Sequence, residues 1–427
     1  MGSRDKDKAI QAKLVNIFKR KPNVGYSGRN EFTLSQELIR DIIEHENLAD
    51  NVVEKLWSCT EDLFAKENPT EARHMIFSFT QSLVKGRMEK DKLGIMRAQY
   101  FRLIKHHDHP EDIGQRLDLL ITLTADGRIV KFFEEEIGKF MLNWFPDISQ
   151  AGRIEEYLNM LDNIIHYNAA YLDESIIIDF IHHICLLCQP TTQDSTIKSC
   201  LKVLSSIVAF SNMSPQCLPT FIGSLCQTVV REKHSRDSWP IMKNLLGTHL
   251  GHSAIYTMCN LLQESSLKDH VDILRASVFF IRMGLWTIGP LQNLKCPPSS
   301  ILPYFLLALK GNHASVALEV GYALQQLVCH YEQYLLDSSW STILKIMSRI
   351  LSISNSSKDQ LILKPQIKPV INEIMNSIEN YIDKGLYNGN LESYYLLVEE
   401  FAADRPTESI LKLIKHRSLR TENRNKT

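Results

Sequence analysis

The stretch DSTIKSCLKVLSSIVAF, residues 194–210, decides the fold class. Its apolar residues recur at i, i+4, i+7 and i+11, on one stripe of an α-helix: Ile197, Leu201, Leu204 and Val208. Asp194 stands at the start of the stripe, where the side chain of an N-cap residue accepts a hydrogen bond from a free backbone N–H group. The stretch is therefore predicted to form an amphipathic helix with Asp194 as its cap.

The same helical spacing returns along the chain. Further stripes are formed by Val316, Val320, Leu324 and Leu327, and by Ile371, Ile374, Ile378 and Ile382. No Asn-Gly or Asp-Gly pair joins two alternating runs, so the usual hairpin signal is missing. Turn and cap residues divide the chain into about twenty helices of about 11–18 residues. Two helices per roughly 40 residues are typical of HEAT and armadillo repeats, so we predict an all-α fold, an α-solenoid of HEAT/armadillo-like helix pairs.

The length of the chain agrees with a repeat array. Its 427 residues exceed the roughly 250–300 at which a single core stops growing. In a repeat array each unit buries its apolar stripe against its neighbours, so the core grows with length. We predict a basic N-terminal helix and linker over 1–30, a continuous α-solenoid over 31–415 and a disordered tail over 416–427. A stretch rich in Ser, Asn and Pro predicts an irregular break near 352–369.

Charge and hydropathy exclude some classes of function. The formal net charge is −1, which argues against the basic surface of a nucleic-acid-binding protein. No segment reaches the roughly 18 uninterrupted apolar residues of a membrane-spanning helix. The first residues are charged and no apolar leader follows them, so a cytoplasmic protein is expected.

The best metal candidate is Cys185-Leu-Leu-Cys188, preceded by His182 and His183. A structural zinc site needs four ligands in a tetrahedron, and no second pair of cysteines follows at a suitable spacing. The alternative is a pair of small apolar side chains in a helical core, which the surrounding Ile and Leu residues favour. We therefore predict no metal and no cofactor.

The most unusual segment is NLLGTHLGHSAIY, residues 244–256, which has two glycines and two histidines between apolar helical patterns. One interpretation is a tight turn between helices, with the histidines capping free carbonyls. A second is contact with a partner protein through His249 and His252. A third is acid–base catalysis, but no nucleophile or carboxylate is paired with these histidines. The sequence also lacks the Gly-Lys-Ser/Thr of a phosphate-binding loop.

The N-terminal stretch 6–21 combines six basic residues with an apolar stripe. Such a helix either covers the open core of the first repeat or lies on an anionic membrane surface. No hydrolase, zinc-protease or dinucleotide motif occurs in the chain. Together with the helical array, this favours a non-catalytic binding protein and predicts no catalytic residue.

Several motifs resemble the N-terminal region of the tuberin family. The longest is NLLGTHLGHSAIYTMCNL, residues 244–261. The shorter ones are EARH at 71–74, TADGR at 124–128, YLDE at 171–174, ICLLC at 184–188 and VFFIRMGLW at 278–286. They run in order from about Phe32 to about Lys310. The glycine-histidine motif is the specific one, since the four-residue motifs are weak singly.

The resemblance implies a fold and a function. In the tuberin family this region is an α-solenoid that docks the coiled-coil region of hamartin. The full-length proteins activate the GTPase Rheb through a domain at the far C-terminus, which restrains target-of-rapamycin signalling. That domain has no counterpart in this chain, so the chain alone is expected not to activate a GTPase, and Rheb is a partner only through the missing domain. A cytoplasmic protein recruited to the lysosomal surface within a complex is implied; a membrane-surface adaptor is the alternative.

Overall fold

The computed structural model describes residues 57, 64–88, 93–94, 96–287, 294–331, 335–356, 360–400 and 414. In these ranges every regular element is helical and no strand occurs. The α-helices, in chain order, are α1 Thr70–Met88, α2 Met96–His106, α3 Ile113–Leu123, α4 Glu134–Gln150, α5 Ile154–Asn168, α6 Glu174–Cys188, α7 Asp194–Phe210, α8 Leu218–Val229, α9 Ser235–Leu246, α10 Gly251–Gln263, α11 Val271–Leu285, α12 Pro298–Ala308, α13 Ala314–His330, α14 Asp337–Ser356, α15 Gln360–Asp383 and α16 Leu391–Glu400. The predicted all-α solenoid class is confirmed.

The contacts divide the chain into two compact units. The first contains the described residues up to Phe180 together with Thr192–Asn212. Within it α1 packs on α3, and α5 packs on α7. Its core is rich in aromatic rings: Phe101 stacks on Phe133 with their centroids 4.3 Å apart, and Phe140 meets Phe101 edge-on at 5.4 Å. Such ring pairs add about 0.5–1.5 kcal/mol beyond their buried area.

The second unit contains Ile181–Thr191 and the described residues from Met213 onward. Helices that are two apart in the chain pack side by side in two rows. The rows are α11, α13 and α15, and α10, α12, α14 and α16. Between the rows, Trp286 meets Phe305 edge-on at 5.6 Å. These alternating rows are the helix-pair arrangement of a solenoid, in which each pair buries its apolar stripe against the next.

One local prediction differs from the structure, and a second is covered only in part by the described residues. Helix α7 begins at Asp194 itself, and Gln193 holds the N-cap position. Asp194 therefore lies in the first turn, where a carboxylate is stabilised by the positive end of the helix dipole. Within the stretch 352–369, residues 352–356 and 360–369 are helical and residues 357–359 lie outside the described residues, so the predicted break stays a prediction. Ser352 and Asn355 lie on the exposed side of α14 and Ser354 is buried. Helix α15 contains Pro365 and Pro369 because tertiary packing overrides propensity.

Some predictions lie outside the described residues. These are the basic helix and linker at 1–30 and the tail at 416–427. The division into domains stays a prediction. Across the helices that are described, none is both long and apolar enough to cross a membrane.

Candidate partner-binding surfaces

The glycine-histidine segment forms the tight turn that one interpretation predicted. Helix α9 ends at Leu246, and α10 begins after four intervening residues at Gly251, whose N–H donates to the Thr248 carbonyl at 3.1 Å. A Cβ atom on Gly251 would lie 2.2 Å from the Leu246 carbonyl oxygen, so the turn requires glycine there for space. The close approach of backbone to backbone explains the glycine better than conformational freedom does.

Both predicted partner-binding histidines are exposed. His249 lies in the turn and His252 in the first turn of α10. His252 Nε2 accepts a hydrogen bond from the Lys295 backbone N–H at 3.3 Å, so it binds a donor and does not cap a free carbonyl. Tyr256, one helical turn further along α10, is 63% exposed. The structure thus presents His249, His252 and Tyr256 to solvent, and the role of the two histidines in partner binding stays a prediction.

A cleft in the second unit was not predicted from the sequence. It has a volume of about 460 Å³ and lies among the end of α8, the start of α9, α11 and α13. We call it the arginine cleft. The side chains that carry its chemistry are Arg236, Trp239, Arg275, Phe279, Arg282, Glu319 and Tyr322. One feature of the sequence indicates the cleft: Arg282 interrupts the apolar run of α11.

The arginine cleft combines cations with aromatic rings. On α11, Arg275, Phe279 and Arg282 recur at i, i+4 and i+7, so they share one face of the helix. Arg282 lies over the Phe279 ring at 5.3 Å, and Trp239 meets that ring edge-on at 6.3 Å. A cation above an aromatic face is attracted by the negative potential of the ring, which holds Arg282 in place.

One carboxylate faces these arginines. Glu319 Oε1 lies 3.1 Å from Arg282 Nη2, and Glu319 Oε2 lies 3.8 Å from Arg275 Nε. Burial raises the pKa of Glu319, and the two arginines offset only part of that rise. The Nε atom of Arg282 is buried and has no hydrogen-bond partner within the described ranges. Glu319 Oε1 likewise lacks a hydrogen-bond partner there, so the cleft has net positive charge, one unsatisfied buried donor and one unsatisfied buried acceptor.

A buried ionic cluster that the sequence analysis did not predict lies in the first unit. Arg73 on α1 donates from Nε to Asp112 Oδ2 at 2.7 Å. His74 Nε2 donates to Asp112 Oδ1 at 2.9 Å, and His107 Nε2 donates to Oδ2 at 2.6 Å. Asp112 is fully buried. Its carboxylate ties the start of α1 to the residues that follow α2 and precede α3, so the cluster is structural.

Protonation of this cluster should destabilise the protein in acid. Burial lowers the pKa of His107 despite its hydrogen bond to Asp112. Burial opposes the ionised form of Asp112, but the hydrogen bonds from Arg73 and His107 win and lower the pKa of Asp112. Because the folded-state pKa values of His107 and Asp112 are both lowered, their contributions to the free energy of unfolding are fully present at pH values above the unfolded-state pKa values. They are lost as the pH falls, from about 6.5 for His107 and about 3.9 for Asp112.

The His107 contribution can be isolated by substitution. We expect His107→Gln, which keeps a donor but does not titrate, to flatten the dependence of unfolding free energy on pH between about pH 7 and pH 5. Urea denaturation followed by circular dichroism measures it. The matched control is His106→Gln, because His106 is the exposed neighbour at the end of α2; it should keep the wild-type slope. An unchanged slope in His107→Gln would contradict the assignment.

The predicted core cysteines are buried in α6. Cys185 and Cys188 are both inaccessible to solvent, and burial raises the pKa of Cys185 to about 12, against the lowering effect of its hydrogen bond with Ser224. In the ranges that the structure describes, no three His, Cys, Asp or Glu side chains are placed to hold a metal ion. That the protein binds no metal stays a prediction, which elemental analysis checks.

Burial should also make these thiols unreactive. The thiolate is the nucleophile, and burial raises the pKa of Cys185, Cys226 and Cys259 to about 12 in each case. We expect iodoacetamide to leave all three unmodified in the native protein at neutral pH, while the more accessible Cys296 and Cys329 react first. Mass spectrometry of native and urea-unfolded samples measures this. Fast native labelling of Cys185 would show that α6 is not packed as described.

The comparisons with known proteins agree with this fold. Residues 36–422 match the family described as Domain of unknown function (DUF3384). The chain belongs to this family. A curated relative, the uncharacterized protein C18B11.11 of Schizosaccharomyces pombe, is 22% identical over 342 residues. The match covers 74% of this chain and 26% of the relative, so the chain spans about a quarter of that protein's length.

A solved structure described as the TSC2 N-terminus has the same fold. Its TM-score is 0.73 at 18% sequence identity, and the match covers 88% of this DUF3384 chain and 95% of that one. TSC2 is tuberin, so the predicted resemblance to the tuberin N-terminal region is confirmed. At this identity the likeness establishes the fold.

Proposed function

We propose that this DUF3384 chain is a non-catalytic scaffold that binds the coiled-coil region of hamartin. The observation that carries the proposal is the match of its fold to the TSC2 N-terminus along nearly the whole of both chains. The family resemblance of the glycine-histidine segment, residues 244–261, supports the same partner. A helix array suits a coiled coil because its rows of helices can receive a partner helix along their length.

The proposal assigns GTPase activation to another part of the tuberin-type proteins. The chain itself would contribute assembly of the complex, while a C-terminal domain acts on Rheb and so on target-of-rapamycin signalling. We propose that the protein acts in the cytoplasm and, within the complex, at the lysosomal surface. It predicts that the isolated chain leaves the rate of GTP hydrolysis by Rheb unchanged.

A membrane-surface adaptor is the second candidate. The observation that favours it is the basic amphipathic stretch 6–21, which lies outside the described residues. Such a helix binds anionic lipid through its basic side chains and apolar stripe. Flotation with anionic liposomes separates the two functions: a scaffold binds hamartin without lipid, whereas an adaptor floats with liposomes and loses that property when residues 1–21 are deleted.

The exposed histidines give the proposal a residue-level test. We expect His249→Ala with His252→Ala to weaken binding of a purified hamartin coiled-coil fragment by about 1–2 kcal/mol, the range of a moderate interface contact. Calorimetric titration measures the affinity. The matched control is His166→Ala with His270→Ala, which changes two histidines outside the turn. Equal affinity of wild type and the His249/His252 variant, with folding intact, would remove these residues from the interface.

A further inference from the structure

The arginine cleft has the features of a docking site for an acidic segment. Three of its lining side chains are cations and one is a carboxylate, so the lining carries net positive charge. Arg236 is exposed and makes no ion pair with the part of the chain that the structure describes. Arg275 is 47% exposed and meets Glu319 only at 3.8 Å. These two guanidinium groups can therefore bind an incoming carboxylate without breaking a short internal pair.

The floor of the arginine cleft is apolar. Trp239, Phe279 and Tyr322 are each half-buried, so part of every ring faces the cleft. Arg275 and Arg282 lie two turns apart on α11, roughly 10 Å along the helix axis, with Phe279 between them. A helix that carries acidic, apolar and acidic side chains at i, i+4 and i+7 has the complementary pattern along its own axis.

We propose that the arginine cleft binds an acidic amphipathic helix of a protein partner, with carboxylates on the arginines and an apolar side chain against Trp239 and Phe279. The inference deepens the proposed scaffold function and rests on it, because it locates one docking site on the scaffold. Glu319 is the internal competitor of the incoming carboxylates, since it neutralises part of the charge of Arg275 and Arg282. The raised pKa of Glu319 agrees with a carboxylate that its arginines only partly compensate.

The test uses a fluorescein-labelled helical peptide of about four turns with Glu, Leu and Glu at i, i+4 and i+7, and a twin with Gln in place of Glu. Fluorescence anisotropy with the full chain measures the affinity. Quenching of tryptophan fluorescence that is seen in the wild type and lost in a Trp239→Phe variant locates the bound peptide beside Trp239. We expect the Glu peptide to bind at least about tenfold more tightly than its Gln twin, the effect of roughly one charge-assisted contact.

Variants of the chain distinguish peptide binding in the arginine cleft from attraction by positive charge elsewhere on the surface. Arg236→Gln with Arg275→Gln should abolish at least about nine-tenths of the affinity for the Glu peptide. Arg102→Gln with Arg128→Gln removes the same charge from exposed positions outside the cleft and should leave the affinity within about twofold. Glu319→Gln should strengthen binding, because it removes the internal competitor. Circular dichroism confirms that each variant is folded.

Each outcome decides the inference. Equal binding of the Glu and Gln peptides, or equal losses in the two double variants, would overturn it. If the hamartin fragment binds the chain while the peptides fail to discriminate, the cleft inference falls and the proposed partner stands. If the peptides discriminate and the hamartin fragment does not bind, the cleft is retained and the proposed partner falls.

Discussion

Replacing Asp112 by asparagine should lower the free energy of unfolding of the first unit by about 3–5 kcal/mol, the usual cost of removing one partner of a buried ion pair. Arg73 is 2% exposed and its Nε donates to the Asp112 carboxylate at 2.7 Å, so the variant removes its buried counter-charge and leaves only the exposed Glu111, whose Oε2 lies 3.5 Å from Arg73 Nη2. Asparagine has nearly the same shape, which keeps the cavity term small. His74 and His107 each donate to one oxygen of the carboxylate. In the asparagine variant one of these two donors faces an amide N–H group, which cannot accept a hydrogen bond.

Urea denaturation, with hydrogen–deuterium exchange in α1 and α3, measures the Asp112 effect within its own unit. The matched control is Asp108→Asn, four residues earlier. The Asp108 side chain is 93% exposed and lies 4.0 Å from Lys66, so its loss should cost less than about 0.5 kcal/mol. Similar effects of the two substitutions would contradict a buried structural cluster at Asp112.

Replacing Gly251 by alanine should destabilise the second unit by about 1–3 kcal/mol, the usual cost of overpacking. The added Cβ would lie 2.2 Å from the Leu246 carbonyl oxygen and 3.0 Å from Leu294 Cδ2. The closer of these atoms belongs to the backbone, so it cannot move away as the end of a side chain can. The end of α9 or the start of α10 must shift, and thermal or urea denaturation detects the loss.

Gly223 provides the matched control for Gly251. It lies inside α8, and a Cβ atom built on it meets nothing within 4 Å. Gly223→Ala should therefore stabilise the protein by about 0.5–1 kcal/mol, because alanine loses less backbone entropy in a helix. If both substitutions shifted stability in the same direction, the close approach at Gly251 would not be the reason for that glycine.

The sequence predicted the helices because their signal is local. The stripe in residues 194–210 repeats with the helical period, and that period alone places its apolar residues on the buried side of α7. The helices described within 352–369 depend on packing instead. Ser, Asn and Pro residues favour turns in isolation, but buried residues such as Ile353 and Ile367 hold the stretch in helices through packing that no local rule describes.

The ionic cluster and the arginine cleft depend on contacts that are distant in the sequence. Arg73 meets Asp112 across 39 positions. Arg282 meets Glu319 on the next helix of its row. The sequence pattern showed only an arginine inside an apolar run, and that pattern does not identify the carboxylate with which the arginine pairs. His249 and His252 were predicted from a local signal, two glycines and two histidines between helices; the structure shows them exposed, and their role in partner binding stays a prediction.

The most direct test of the central claim, that this DUF3384 chain is a partner-binding scaffold, is co-elution with a purified hamartin coiled-coil fragment, with light scattering at physiological salt. The account predicts one peak whose mass equals a whole-number complex of the two chains, and that peak should persist on dilution. Separate elution of the two proteins, from a chain shown by circular dichroism to be folded and helical, would contradict the proposed partner.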